Sequence, residues 1–300
     1  AGSQLYYSSI VDHFNPDLVW ATFGNTDCWN IARDLAQAAI CPWIADAKDP
    51  WQNFIPTIFR NYLAKYYGDS AAMTAFSKFH VADIQKYFGR EASVVYSGFS
   101  TDQAAPSTPL NPDEMTISLT GAIYDQQALT QLIQGVKSWL IGLPEKKRAN
   151  ACFIYAGQDS DAVAAATMDL STICRIDIKG FIPLEELRHI HRRAIANLYI
   201  KSNLTFHHKT IEMLSAGRPL ICYPEETEEA VEISQSTRVP LFSCDSPEQG
   251  SEALDQSLNI GLIDIQEDGG LKALTWESQA KKLEEIFLNV ANKQNDSANA

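Results

Sequence analysis

Lys209 and Glu212 stand three residues apart, just after Thr205 and Phe206. If this segment is a helix, the lysine and the carboxylate share a face. The free N–H groups and the dipole at its start, around Thr205 and Phe206, then favour an anion. A phosphate there, a lysine reaching it and a carboxylate accepting from hydroxyls would make a site suited to a nucleotide-sugar. The same spacing also describes an ordinary solvated Lys–Glu pair. Four other short stretches each follow an apolar run: Gly121-Ala122, Gly157-Gln158-Asp159, Gly180-Phe181 and Asp46-Ala47-Lys48-Asp49. Glycine lets backbone approach a ligand closely, and it also serves plain turns between strand and helix.

The elements that must position these residues alternate along the chain. Residues 17–23 are an apolar, strand-forming run, followed by the turn and N-cap of Gly24-Asn25-Thr26-Asp27 and by Trp29, Ile31, Leu35 and Ala38 at helical spacing. Residues 42–46 begin the next strand, so strand, helix and strand fall within about 30 residues, the mark of parallel pairing. Residues 56–90 read as helical, and residues 93–99 as a strand ending in a glycine turn. A polar stretch with three prolines follows, which reads as a linker. Beyond it, strands are expected at 116–120, 152–156, 175–178, 194–200 and 220–223. A helix is expected over 129–140, where apolar residues recur at helical spacing, another from His207 to Ala216, closed by Gly217 and Pro219, and a last one over 276–291. The fold class is α/β, and in an open parallel sheet ligands bind beyond the carboxyl ends of the strands. The expected division is a partial first domain over 1–100, a linker over 101–115, a donor-binding domain over 116–272, and a closing helix with a polar tail over 273–300. With about three strands before the linker against about five units after it, the first domain is expected to lack its first units or to be rebuilt.

Composition narrows the function classes. The 300 residues are 45% hydrophobic and 20% charged, with a net charge of −13. That excludes a disordered chain and disfavours nucleic acid, whose phosphates require a basic face. No stretch of about 18 apolar residues exists, so no membrane span is expected. The six cysteines are scattered, with no C-x-x-C, and read as reduced thiols of a cytoplasmic protein. No secretory signal is expected, because the first ten residues lack a basic start and an apolar core. No metal is expected, because adjacent His207 and His208 point to different faces. His189 and His191, beside Arg192 and Arg193, read as a solvated helix face.

The segment Lys209-x-x-Glu212-Met-Leu-Ser-Ala-Gly-Arg-Pro219 resembles the signature of retaining glycosyltransferases of family 4, which have the GT-B fold. Other pieces agree in order: Asn15-Pro-Asp-Leu-Val-Trp20, Ile40-Cys-Pro-Trp-Ile-Ala-Asp-Ala-Lys-Asp-Pro-Trp51, Val94 to Phe99, Gly180-Phe-Ile-Pro-Leu-Glu-Glu-Leu187 and Leu274-Thr-Trp-Glu277. The resemblance spans about residues 15–290. It implies two Rossmann-like parallel-sheet domains facing across a cleft, and transfer of a sugar from a nucleoside diphosphate-sugar (UDP or GDP) to a sugar, lipid or other acceptor.

Residue by residue, the resemblance places Glu212 at the nucleotide ribose and Lys209 at the donor diphosphate. Gly180 and Phe181 fall in the loop lining the base, and Gly121 after the second domain's first strand. By position alone, Gly157 and Asp159 after a strand and Thr205 and Phe206 at a helix start are counted with the donor side; the resemblance places Asp46, Lys48 and Asp49 where the first domain meets the reacting sugar. The departures are equally specific. The first glutamate of the E-x7-E motif is replaced by Leu204, and the two basic positions of the R-x4-K motif, which follow Gly121, hold Ala122 and Gln127. Lys48 stands where the family often carries a histidine. Charge develops on the departing diphosphate, and its stabilisation carries the reaction. A degenerate nucleotide-sugar-binding protein or subunit therefore stands beside the transferase, with a GT-B sugar-nucleotide epimerase, which shares fold and donor site, as a further alternative; a partner chain could complete the first domain.

Overall fold

The computed structural model describes residues 3–100, 115–202, 208–260, 262–264 and 267–298. Residues 101–114 of the expected linker, and Leu204, Thr205, Phe206 and His207, lie outside them. The chain divides into two compact units, residues 1–97 with 276–300, and residues 98–275.

The first unit holds a parallel sheet of four strands, β1 (Val19–Phe23), β2 (Trp43–Ala47), β3 (Ala72–Ala75) and β4 (Ser93–Val94), in the order 1-2-3-4. About three strands were expected; the additional one is β3, inside the stretch read as continuous helix. Residues 56–90 are in fact the helix Thr57–Tyr66, then β3, then the helix Lys78–Phe88. β4 keeps two residues of the strand expected over 93–99. Phe99 belongs to the other unit, where its N–H donates to the Leu274 carbonyl at 3.3 Å. As the Gly24–Asp27 turn predicts, Asn25 Oδ1 caps the helix Thr26–Ala39 by accepting from the Asp27 and Cys28 N–H groups at 2.9 and 3.3 Å. The core between sheet and helices is aromatic. Trp29 stacks on Trp51 at 5.7 Å and meets Tyr67 edge-on at 5.3 Å. The final helix, Trp276–Ala298, belongs to this unit: Phe287 lies 6.1 Å from Trp20, and Gln279 Oε1 accepts from the Tyr96 N–H at 2.9 Å.

The second unit holds six parallel strands: β5 (Met115–Thr120), β6 (Ala151–Ala156), β7 (Arg175–Ile178), β8 (Ala194–Ile200), β9 (Leu220–Tyr223) and β10 (Leu241–Ser243). Their order is 10-9-8-5-6-7. β10 was not expected; the other five lie where sequence places them. β5 and β8 are buried along their whole length, as central strands with both faces covered must be. The helix Gln126–Gly142 buries Leu129, Leu132, Ile133, Val136, Trp139 and Leu140 against them, the stripe its spacing predicts. No helix is long and apolar enough to cross a membrane among the described residues.

Candidate functional site

In the second unit the chain runs from β5 outward to β6 and β7, then crosses back to place β8 on the other side of β5. The loops after β5 and β8 diverge there and open a crevice, the position at which open α/β sheets bind ligands. A pocket of about 320 Å³, its open mouth included, occupies this point. Its walls include Gly121 and Ala122 after β5, Lys201 at the end of β8, Lys209 and Thr210 of the helix His208–Leu214, and Glu226 after β9.

Gly121 and Lys209, far apart in sequence, meet here. Gly121 has φ of +96°, and a Cβ at this position would lie 3.0 Å from Lys209 Nζ. Only glycine combines that backbone with that approach. The half-buried Lys209 ammonium is pushed below its ordinary pKa by desolvation, a shift that a nearby anion would oppose.

Gly157, Asp159 and Gly180 act one layer behind. The Tyr155 hydroxyl donates to the Gly121 carbonyl at 2.9 Å and accepts from the Asp159 N–H at 3.0 Å. Asp159 Oδ2 accepts from the Ile123 N–H at 2.8 Å, and the Gly157 N–H donates to the Gly180 carbonyl at 2.9 Å. A Cβ on Gly157 would collide with the Gly121 carbonyl and the Tyr155 hydroxyl. These contacts fix the loop after β5. Phe181, beyond Gly180, is 93% exposed, an unpaired ring at the loop's surface.

Glu212 turns away from Lys209. Its Oε1 accepts from Arg188 Nε at 2.5 Å, with the two side chains 21% and 14% exposed. Glu212 is absent from the pocket's lining. His191 corrects the solvated-face reading of the helix Leu184–Arg193. It is 2% exposed, its Nε2 lies 3.1 Å from Thr120 Oγ1, and burial with the charge of Arg188 lowers its pKa to about 4.

Of the charged residues that line the pocket, sequence reasoning missed two. Lys201 adds a second cation and donates through Nζ to the Glu225 carbonyl. Glu226 is a buried carboxylate that accepts from the Tyr199 hydroxyl at 3.2 Å and from the Thr227 N–H at 3.0 Å. Desolvation, then Cys222 and Glu226, push the Tyr199 phenol well above its ordinary pKa. Lys201 was legible as the residue ending an apolar strand. Glu226 was hidden in the run Glu225-Glu226-Thr227-Glu228-Glu229, which reads as a solvated first turn.

In the first unit, Asp46 lies at the carboxyl end of β2, 1% exposed. Its register partners Thr22 on β1 and Thr74 on β3 both donate hydroxyls to it, at 3.0 and 2.6 Å. Lys48 Nζ lies 3.9 Å from Asp46 and donates to the Val95 carbonyl at 2.9 Å; burial lowers its pKa, opposed by Asp46. Desolvation raises that of Asp49. His80, not singled out from sequence, packs edge-on to Phe76 beneath Lys48. The described residues include no group of three or more His, Cys, Asp or Glu able to hold a metal ion. All six cysteines are free, four of them buried.

No family model matches the chain, and no curated protein does. Solved structures do. Anabaena HepE in complex with UDP-glucose aligns over 99% of this chain and 84% of its own, with a TM-score of 0.56 at 13% identity. A Staphylococcus aureus MnaA–UDP co-structure aligns over 96% and 80%, with 0.52 at 13%. A protein from Listeria monocytogenes described as a putative UDP-N-acetylglucosamine 2-epimerase aligns over 86% and 70%, with 0.56 at 12%. The fold is GT-B. Likeness at this identity carries the fold and not the chemistry.

Proposed function

We propose that this GT-B protein binds a nucleoside diphosphate-sugar in the switch-point pocket, with UDP as the nucleotide, and transfers the sugar to an acceptor as retaining family 4 enzymes do. The observation that carries the reading is the convergence of Lys201 and Lys209 with the glycine turn at Gly121 on one pocket at the strand-order reversal. Two cations there meet the diphosphate, in place of the pair lost at Ala122 and Gln127. The exposed Phe181 offers a face to the base. Structural neighbours solved with UDP or UDP-glucose support the choice of nucleotide.

A second reading, binding without transfer, is favoured by Ala122, which lines the pocket where the resembled family carries a cation. Calorimetric titration with UDP, GDP, ADP and their common sugars tests the proposal. UDP and one UDP-sugar should bind at micromolar level. Lys209→Met should weaken both about tenfold or more, the worth of a charged hydrogen bond. Absence of binding by every nucleotide refutes the proposal. Binding with no hydrolysis or transfer favours the second reading, and conversion of the free nucleotide-sugar into an epimer makes the protein an epimerase.

A further inference from the structure

The floor of the same pocket has a hydrogen-bonding pattern of its own. Thr210 lines it, is 0% exposed, and its Oγ1 is buried without a hydrogen-bond partner. Such orphans are rare because leaving the bond unmade is costly. Tyr199 lines the floor as well, 6% exposed. Its hydroxyl proton has a fixed destination, Glu226 Oε2 at 3.2 Å. That carboxylate has other donors: the Thr227 N–H and hydroxyl donate to Oε1 at 3.0 and 3.3 Å, and the Cys222 thiol divides its one proton between Oε2 at 3.5 Å and the Pro224 carbonyl at 3.3 Å. With about four acceptor places on a carboxylate, at most one remains for a ligand. The Tyr199 oxygen is therefore left as an acceptor, and the Thr210 hydroxyl, which faces that phenol and acts to lower its pKa, makes no hydrogen bond of good geometry.

We infer that Thr210 and Tyr199 form a recognition point for one ligand hydroxyl, which donates to Tyr199 and accepts from Thr210. A phosphate oxygen supplies no donor, and an apolar group supplies neither. The anionic part of the ligand falls to Lys201 and Lys209, so the ligand class is a phosphorylated polyhydroxyl compound. Within the nucleotide-sugar reading, on which this assignment rests, the hydroxyl belongs either to the ribose or to the transferred sugar.

The test titrates the full chain and its Thr210→Val variant with UDP and with UDP-glucose, alongside thermal unfolding. Valine keeps the shape and removes the orphan, so Tm should hold or rise. Binding of the ligand that carries the hydroxyl should weaken about tenfold. Equal loss for UDP and UDP-glucose assigns the hydroxyl to the ribose; loss for UDP-glucose alone assigns it to the sugar. Tyr199→Phe should weaken the same ligand. Unchanged binding of both ligands by Thr210→Val overturns the inference, and so does a clear fall in Tm, which would reveal a structural partner. If the unaltered chain binds neither UDP nor UDP-glucose, the nucleotide reading fails, and glucose 1-phosphate becomes the probe. Binding of that compound that depends on Thr210 upholds the hydroxyl point by itself; its absence, or indifference to Thr210→Val, overturns it.

Discussion

Acid should weaken the first unit through His80. The imidazole is 2% exposed, its Nδ1 lies 2.6 Å from Ser77 Oγ, and its Nε2 is buried without a partner. Burial, and then the charge of Lys48, lower its pKa from 6.5 to about 4. Between those two values the unfolded chain holds a proton that the folded chain refuses. The contribution of His80 is thus complete above the upper value and lost progressively as pH falls toward the lower one. From about pH 7 to about pH 5 the loss amounts to about 2 kcal/mol for this one group. Burial raises Asp49 and Asp83, and their protonation in acid works in the opposite direction. A comparison with His80→Asn cancels that shared contribution, because asparagine keeps a polar atom for Ser77 and does not titrate. Urea unfolding at the two pH values, followed by tryptophan fluorescence, reads mainly this unit, which holds Trp20, Trp29, Trp43, Trp51 and Trp276 against Trp139 alone in the other. The variant should be weaker at neutral pH, yet lose about 2 kcal/mol less than the parent on acidification. Parallel losses in the two proteins would refute the assignment of acid sensitivity to His80.

Gly157→Ala forces a methyl group onto the Gly121 carbonyl and the Tyr155 hydroxyl, so a loss of about 2 kcal/mol or more is expected, visible as a lower urea midpoint or as insoluble expression. Asp46→Ala strands the Thr22 and Thr74 hydroxyls and removes the carboxylate beside Lys48; it should cost about 2–4 kcal/mol, whereas Asp46→Asn should cost less in the same measurement. Glu212→Gln breaks the partly buried pair with Arg188 and should cost about 1–2 kcal/mol. Because that carboxylate is committed to Arg188, UDP affinity by calorimetry should change by less than about threefold; a tenfold loss would put Glu212 at the ribose instead.

The strands that sequence located best are those with continuous apolar runs bounded by turn residues. β8 and β9 coincide with Ala194–Ile200 and Leu220–Tyr223 because Arg193 and Lys201 bracket the first, and Pro219 and Pro224 the second. β3 escaped because Ala72-Met-Thr-Ala75 is short and nearly all buried. It shows neither alternation nor a run of β-branched residues, so flanking helical spacing swallowed it. β10, three residues long, carries still less signal. At the site, Gly121 was legible because it follows an apolar strand, and Lys209 because it stands at the start of a helix with a clear period. The Lys209–Glu212 spacing gave the right helix but a misleading shared face. Long side chains three residues apart diverge to different partners, and Arg188, the partner of Glu212, comes from another helix that no local pattern connects to it. Asp46 was legible as a polar residue ending a strand, whereas its two threonines become partners only through the register of neighbouring strands.

The two sheets also differ in how far apart in the chain their partners lie. In the first unit every strand pairs with its immediate successor, whereas in the second Ser118 on β5 meets Asn197 on β8 across 79 residues. Local pairing is the faster kind, so the β1–β4 sheet should assemble early as the chain leaves the ribosome. Yet Trp20 and Tyr96 receive Phe287 and Gln279 from the helix Trp276–Ala298, made only after the whole second unit. The early sheet must wait with an apolar seam uncovered, and over that interval the nascent protein should be most dependent on chaperones.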